Sequence, residues 1–136
     1  MIKEIIRDQF FLSRPSSEAT KDDLPLASDL ADTLAANASI CAGLAANMIG
    51  VSKRAIAVSV GGTPVVMFNP VIVGRGGRFE TEEGCLSLDG QRPAVRYHTI
   101  EVEYIDESWK KRRKRYSGWT AQIIQHEIDH CCGILI

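Results

Sequence analysis

The stretch QHEIDH (125–130), near the end of the chain, governs the interpretation of the whole sequence. On a helix, His126 and His130 lie one turn apart on the same face, so their imidazoles can converge on one ion. Glu127 points to a neighbouring face, where its carboxylate can hydrogen-bond a water molecule held by that ion. The pattern is short, and exposed charged helices produce such strings by chance. A metal site and an ordinary helix surface therefore remain equal alternatives at this point.

Cys85 is the best candidate for a third ligand. Catalytic divalent sites usually take three protein ligands and keep one position open. Cys85 follows a glycine in EEGCLSL (82–88), at a predicted strand start where the backbone can approach a helix closely. A thiolate with two imidazoles suits Zn²⁺ or Fe²⁺ better than Mg²⁺ or Ca²⁺. The alternative for Cys85 is a small buried hydrophobic residue.

Size and composition predict a single domain over residues 1–136. The chain is 45% hydrophobic and 24% charged, with a net charge of −1. This balance gives no overall field that favours a specific nucleic acid or a membrane surface. No apolar run approaches the roughly 18 residues of a spanning helix, and MIKEIIRDQFF lacks the apolar stretch of a signal peptide. We therefore expect a cytoplasmic protein without a disulfide framework among its four cysteines.

Two helices are predicted, one toward each end of the chain. After a polar loop over 13–23, leucines recur at every fourth position and predict a helix over about 24–38. From about Trp119, isoleucines at helical spacing predict a closing helix that carries the QHEIDH stretch. Both helices then present an apolar stripe to a shared core.

The segments between the helices predict antiparallel strands. RAIAVSV (54–60) and PVVMFNP (64–70) are β-rich and flank two glycines, which indicates a hairpin. TIEVEYID (99–106) alternates strictly and predicts a half-buried strand. KKRRKRYS (110–117) is expected to return as an exposed edge strand or a loop. Helices and antiparallel strands together predict an α+β domain.

Three sequence blocks together resemble the signature blocks of peptide deformylases. They are AGLAANMIG (42–50), EGCLSL (83–88) and QHEIDH (125–130), in the family's order and at about its separations. The similarity covers roughly residues 24–135. It implies the family's fold, with an N-terminal helix and antiparallel sheets packed around a C-terminal metal-binding helix. It also implies a metal-dependent hydrolase that removes the formyl group from the N-terminal formylmethionine of nascent peptides and releases formate.

The resemblance assigns roles to individual residues. Cys85, His126 and His130 would bind one divalent metal, which in this family is usually Fe²⁺, with Zn²⁺ or Ni²⁺ as substitutes. Glu127 would move the proton from the attacking water to the leaving amine. The backbone N–H of Leu86 would donate to the oxyanion that forms on the formyl group. The bond cleaved would be an amide C–N bond that is not a peptide bond.

The first block departs from the family pattern at three positions. Met48 stands where the family has a glutamine whose carboxamide is the second oxyanion donor, and a thioether donates no hydrogen bond. Loss of one such donor typically lowers kcat by about 10²–10³. Cys41 replaces a glycine, which would strain the loop if that position needs a positive φ. Asn47 replaces a usual proline or threonine.

The resemblance also implies the surface that binds the substrate. Its expected contacts are Gly43, Leu44, Glu83, Gly84 and Ile123. The small and apolar residues 44–46 suit the floor of a substrate cleft, and they suit an ordinary core equally well. The isoleucines at 124 and 128 are expected in the helix core.

Several polar residues near the blocks have structural interpretations. Glu83 and Arg96 resemble a family acid–arginine pair that braces the cysteine strand. Gln125 either braces the site by hydrogen bonding or is a surface amide. Asp129 either orients a histidine, faces solvent or pairs elsewhere. His98 is expected at the surface.

Two functions remain open from the sequence. The first is an active deformylase, slowed by Met48, that acts on formylated nascent N-termini near the ribosome. The second is a metal-binding paralogue with little turnover, or one that acts on a different N-acyl or amide substrate. The basic run KKRRK (110–114) either contacts ribosomal RNA or forms a solvated edge that discourages sheet aggregation.

Overall fold

One antiparallel sheet of five strands, joined as a meander in chain order, organises the protein. A computed structural model describes all 136 residues. The strands are β1 (Gly43–Ala45), β2 (Ala55–Val60), β3 (Thr63–Cys85), β4 (Leu88–Ile105) and β5 (Lys111–Ser117). The helices are α1 (Gln9–Leu12), α2 (Leu26–Ala36) and α3 (Gly118–Cys131), and short 3₁₀ turns cover Lys21–Asp23 and Ala46–Ile49. The predicted α+β class is confirmed.

The predicted β2–β3 hairpin is confirmed, and two glycines make its turn. Gly61 and Gly62 have φ values of +57° and +84°. Two consecutive positive φ values suit a tight hairpin turn and are accessible to glycine without strain. Val60 and Thr63 are therefore directly paired, which fixes the register of the two strands.

The β3–β4 hairpin is much longer than the sequence suggested and delivers Cys85 to the site. β3 continues through the polar stretch RGGRFETEE (75–83). This stretch has too many charged residues to show the apolar alternation that predicts a strand. The prediction that a strand starts at Cys85 was therefore wrong, because Cys85 is the last residue of β3. The pairing shifts register between Gly84 and Cys85, and a two-residue turn leads into β4 at Leu88.

Helix α2 covers the middle of the range predicted for it. Its leucine stripe, Leu26, Leu30 and Leu34, is buried as expected. The helix ends at Ala36 because the side chain of Asn37 turns back and donates to the carbonyl of Thr33 at 2.8 Å.

Helix α3 packs against the sheet and brings the QHEIDH stretch to its centre. Ile124 and Ile128 are buried in the core, as predicted. The Gln125 side chain accepts from the Tyr97 N–H and donates to the Tyr97 carbonyl, both at 2.9 Å. This amide therefore ties α3 to β4, which confirms the bracing alternative over a surface position.

The far edge of the sheet is the basic strand β5. Lys111–Arg115 are all exposed, and Arg113 pairs with Glu101 and Glu103 on the outer face of β4. The exposed edge strand is thus confirmed for this segment. No helix of the chain combines the length and apolar character needed to cross a membrane.

Candidate metal centre and cleft

Helix α3 holds the two histidines as one buried pair. His126 and His130 share the helix face turned toward the sheet, and His130 is fully buried. Their Nε2 atoms lie 3.1 Å apart, and the rings meet edge to face. The one-turn spacing read from the sequence therefore produces converging imidazoles.

Cys85 completes the group from the end of β3. Its Sγ lies 3.3 Å from the His130 Nε2 atom, and the three donor atoms all lie within 4.8 Å of one another. The N–H of Ser87 donates to the sulfur at 3.4 Å, so the turn after Cys85 fixes the position of the thiol. Leu86, the other turn residue, lines the adjacent cleft.

The donor set fits a divalent transition metal. One thiol and two imidazoles converge, and Cys85 and His126 line the cleft, so an ion held here would be open to water, as in catalytic rather than structural zinc-type sites. His126 directs its Nδ1 to the Glu83 carboxylate at 2.8 Å, which leaves Nε2 for the ion. The residues present therefore fit the group that the sequence implied.

Glu83 is the acceptor for three separate groups. Arg96 donates to both of its oxygens at 2.7–3.0 Å, Gln122 Nε2 donates to Oε2 at 2.8 Å, and His126 contacts Oε1. Burial alone would raise the pKa of Glu83, but these contacts, above all those from His126 and Arg96, lower it to about 2. The sequence anticipated a bracing pair, and the structure shows that this pair is buried.

The two histidines have opposite electrostatic surroundings. Burial lowers the pKa of His126, but its contacts with Cys85 and Glu83 outweigh burial and raise the pKa to about 10. Burial and the neighbouring charge of His126 lower the pKa of His130 to about 3. Metal binding at these atoms would therefore release a proton from His126.

Asp129 is bound to Arg96 rather than to a histidine. Its Oδ2 accepts from Arg96 Nη1 at 2.7 Å. Of the three alternatives open from the sequence, pairing elsewhere is the one observed. Arg96 thus bridges a carboxylate on β3 and a carboxylate on α3, and the contact clamps the two elements together.

Glu127 lies against the cleft in a nearly closed environment. Only 4% of the residue is exposed, and its Oε1 has no hydrogen-bond partner within the chain. Burial is the main cause that raises the pKa of this carboxyl to about 7. A carboxyl with such a pKa can both accept and return a proton near neutral pH.

Gly43 is needed because Glu127 and Ile123 occupy the space of a side chain. A Cβ at position 43 would lie 2.7 Å from Ile123 Cγ2 and 3.0 Å from Glu127 Oε2. The first distance is shorter than a Cβ contact allows, and the second is unusually tight. The glycine therefore lets β1 approach the carboxylate of Glu127 directly.

Backbone and side-chain contacts together hold residues 45–48, the segment that faces the metal centre. The Met48 carbonyl accepts from the Ile6 N–H at 2.8 Å, and the Met48 sulfur accepts from the Ala45 N–H at 3.4 Å. Asn47 Nδ2 donates to the His130 carbonyl at 2.9 Å. The Met48 side chain is therefore buried and lines the cleft, but it presents no donor there.

Cys41 fits its position without backbone strain. Its φ is not positive, so the strain considered for a cysteine in place of glycine is absent. Burial and the nearby charge of Glu127 raise the pKa of its thiol to about 11. The thiol therefore stays protonated at neutral pH.

The cleft beside these residues has a volume of about 520 Å³. Of the substrate contacts expected from the sequence, it is lined by Gly43, Glu83, Gly84 and Ile123. Leu44 is fully buried and does not line it, because alternation along β1 turns this side chain into the core.

Sequence reasoning missed several residues of the cleft, among them Gln122, Trp119 and Arg7. Gln122 and Trp119 precede His126 by about one and two helical turns, and this spacing was a usable signal. Arg7 reaches the rim from the N-terminal segment, where it pairs with Asp89 at 2.7 Å. Nothing in the local sequence of Arg7 indicates this long-range contact.

Comparison with known proteins gives a consistent result. The family described as polypeptide deformylase matches residues 4–136. A peptide deformylase of Clostridium beijerinckii is 54% identical over 136 residues and covers all of both chains. A peptide deformylase of Halothermothrix orenii is 38% identical over 126 residues, which are 90% of this chain and 80% of the relative.

Solved structures show the same fold. The crystal structure of a peptide deformylase from Legionella pneumophila has a TM-score of 0.88 and 34% identity, and the match covers 99% of this chain and 83% of that one. A Met-Ala-Ser-bound peptide deformylase from Acinetobacter baumannii has a TM-score of 0.87 and 26% identity, with 99% and 96% coverage. These matches confirm the resemblance of the three sequence blocks and the fold that it implied.

Proposed function

This chain belongs to the polypeptide deformylase family, and from that membership we infer that it removes the N-formyl group of nascent peptides as a metal-dependent hydrolase. The substrate is a formylated N-terminus, the bond cleaved is its formamide C–N bond, and the product is formate. The observation that carries this conclusion is the convergence of Cys85, His126 and His130 beside Glu127 in one cleft. The paralogue alternative is not favoured, because the Clostridium relative matched over its full length is itself a peptide deformylase.

Cys85, His126 and His130 would hold the metal. When bound, a divalent ion supplies Lewis acidity that polarises a carbonyl and makes water more acidic. We propose Fe²⁺ as the resident metal, with Zn²⁺ or Ni²⁺ as functional substitutes. Metal analysis after strictly anaerobic purification tests this choice, and it fails if iron is absent while another metal is present at about one ion per chain.

Glu127 is the residue that moves the proton. Its carboxylate takes a proton from the attacking water as the oxygen–carbon bond to the formyl group forms. It then delivers this proton to the peptide nitrogen as the C–N bond breaks, which leaves a free amine and formate. The burial of Glu127 supports this role, since the proton has no competing partner on Oε1.

The oxyanion of the reaction needs donors that already point at it. The backbone N–H of Leu86, in the turn after Cys85, is proposed as one of them. Met48 cannot supply a second, so we propose that this chain turns over more slowly than it would with a glutamine there. The substrate is proposed to lie against Gly43, Gly84 and Ile123.

The location of the substrate indicates where in the cell the enzyme acts. Nascent chains carry their formyl group beside the ribosome in the cytoplasm, and we place the enzyme there. The exposed basic strand β5 would favour proximity to ribosomal RNA through salt-dependent phosphate contacts.

Formate release from formyl-Met-Ala-Ser tests the function. The protein is loaded anaerobically with Fe²⁺ or Ni²⁺ and compared with Glu127→Ala and with Glu127→Gln, which keeps the side-chain volume. We expect both variants to lose about 10²–10⁴ in kcat/KM while retaining the metal. Release by the wild type at the rate of Glu127→Ala would reject the proposed function.

A further inference from the structure

Arg7 lies at the rim of the cleft on a backbone that is held on both sides. The N–H of the preceding residue, Ile6, donates to the Met48 carbonyl at 2.8 Å. The following residue, Asp8, caps helix α1 by accepting from two of its backbone N–H groups. The N-terminal segment is therefore fixed to residues 45–48, and it presents the Arg7 side chain to the cleft.

The Arg7 side chain binds the turn that follows Cys85. Its Nη2 donates to the Asp89 carboxylate at 2.7 Å, and its Nη1 donates to the Leu86 carbonyl at 3.5 Å. The second contact is long, so Asp89 is the main anchor. The rigid, planar guanidinium then directs its other nitrogen toward the carbonyl. Together the two contacts tie the turn between β3 and β4 to the N-terminal segment.

The Leu86 carbonyl belongs to the peptide unit whose N–H contacts the sulfur of the metal site. A trans peptide unit is planar, and its C=O and N–H point in opposite directions. At the other end of this unit, the Ser87 N–H donates to Cys85 Sγ at 3.4 Å. A cation at the carbonyl end therefore fixes the direction of the N–H and strengthens its donation to the sulfur.

The exposure of the ion pair indicates that its role is positional. The side chains of Arg7 and Asp89 are 55% and 96% exposed, and a pair this exposed contributes little to the free energy of unfolding. Its contact with the turn has a larger consequence, because hydrogen bonds to the ligands of a metal orient them and tune the bound ion.

We propose that Arg7 is a positioning residue that acts through the Leu86–Ser87 peptide on the sulfur of Cys85. It keeps the Ser87 N–H directed at the sulfur and thereby strengthens the attachment of a divalent ion. The inference rests on the proposed function in one respect, which is the assignment of Cys85 as a metal ligand.

Co²⁺ bound to the protein provides a test that reads out the sulfur directly. A Co²⁺–thiolate bond has a charge-transfer band from sulfur to metal. A hydrogen bond stabilises the negative sulfur and moves this band to shorter wavelength. We expect Arg7→Met, which removes both contacts of the guanidinium, to move the band to longer wavelength. Loss of Co²⁺ to a chelator should become about threefold to tenfold faster, below the range typical of residues that touch a ligand directly.

Two further variants sharpen this test. Asp89→Asn keeps the size of the side chain but removes the main anchor of Arg7, so it should move the band in the same direction. The double variant should then go no further than Arg7→Met alone, because the two residues act as one unit. Arg78→Met is the matched control, since Arg78 is 56% exposed, pairs with Glu80 and lies outside the cleft. It should leave both the band and the rate of Co²⁺ loss unchanged.

Other roles for Arg7 give different results. If Arg7 only stabilises the fold, Arg7→Met lowers the melting temperature and leaves the band unmoved. If it only contacts the peptide, KM for formyl-Met-Ala-Ser rises and the band again does not move. Either result overturns the proposal, as does a wild-type protein without the sulfur band, because Cys85 is then not a ligand. If thermal melting shows that Arg7→Met does not fold, the shift in Asp89→Asn decides.

The band is measured without substrate, which separates this proposal from the proposed function. If no formyl peptide is hydrolysed but the band moves in Arg7→Met and not in Arg78→Met, the proposed function fails and the role of Arg7 is supported. If formyl peptides are hydrolysed and the band does not move, the role of Arg7 is overturned and the proposed function stands.

Discussion

The cleft has two walls, and charged hydrogen bonds hold only one of them. The ligand wall comprises the three metal-binding candidates together with Glu83 and Arg96. Specific side-chain hydrogen bonds join Arg96 to Glu83 and Asp129, and Glu83 to His126. The facing segment, residues 41–48, is held mainly through its backbone, as in the contact from the Ile6 N–H to the Met48 carbonyl. Where side-chain atoms fix the geometry, the residue type cannot change. Where the backbone fixes the geometry, the residue type can change. All three departures of the first block from the family pattern lie in this facing segment.

Breaking the ligand wall should have the largest effect on stability. Arg96→Ala leaves Glu83 buried with one strong donor fewer and releases Asp129. We expect a loss of about 3–5 kcal/mol in the free energy of unfolding, measured by urea denaturation. Arg113→Ala, which removes an exposed arginine from the β4–β5 pairs, is the matched control and should change little. Equal losses of unfolding free energy in the two variants would contradict the expectation that the buried Arg96 contacts stabilise the fold more than the exposed pairs of Arg113.

Acid should weaken the same wall through Glu83. Its pKa is lowered from 4.5 to about 2 in the folded chain, so it contributes stability above pH 4.5 that is lost as the pH falls toward 2. In metal-free protein, we expect the stability advantage of wild type over Glu83→Gln to narrow across this window. Urea midpoints at several pH values measure it, and a constant gap from pH 5 to pH 2.5 would argue against the assigned charge state.

Restoring a donor on the facing segment should change rate and leave stability nearly unchanged. In Met48→Gln, the new Oε1 can accept from the Ala45 N–H as the sulfur does, while Nε2 faces the cleft. We expect kcat for formyl-Met-Ala-Ser to rise about a hundredfold. Met48→Leu, which offers neither acceptor nor donor, should not accelerate. A glutamine variant as slow as wild type would mean that another group already fills the donor position.

The side-chain anchor of the facing segment should have a smaller effect. Asn47→Ala removes the bond to the His130 carbonyl, but that carbonyl keeps a second donor in the Gly133 N–H. We expect a destabilisation of about 1–2 kcal/mol by thermal or urea unfolding. A loss as large as that of Arg96→Ala would show that this wall also depends on its side chains.

Cys41→Gly should be the mildest change. The family residue at this position is glycine, yet the backbone of Cys41 has no positive φ that would require it. Glycine adds freedom to the unfolded chain and removes the packing of the half-buried Cys41 side chain, so we expect a loss of about 1 kcal/mol. Stabilisation by glycine, measured as a higher melting temperature, would reveal strain at Cys41.

The sequence predicts local spacing well and long-range contact poorly. The one-turn spacing of His126 and His130 and the glycine pair at 61–62 are local rules, and both predictions agree with the structure. β3 was seen only in its apolar first third, because its polar continuation is held by pairing with β4 rather than by burial. Arg7 could not be assigned, since its contact depends on a partner 82 residues away, whereas the helical spacing of Gln122 from His126 was a signal that the sequence did carry.

The carboxylate of Glu83 makes the effects of substitutions at several positions depend on one another. Its two oxygens serve Arg96, Gln122 and His126 at once, so the same atoms support the fold, line the cleft and orient a metal ligand. Substitutions at these partners should therefore be strongly non-additive. A substitution at Gln122 would therefore also be expected to change the support of His126, a proposed metal ligand. Selection for a new substrate would consequently act on this carboxylate's whole neighbourhood rather than on one residue.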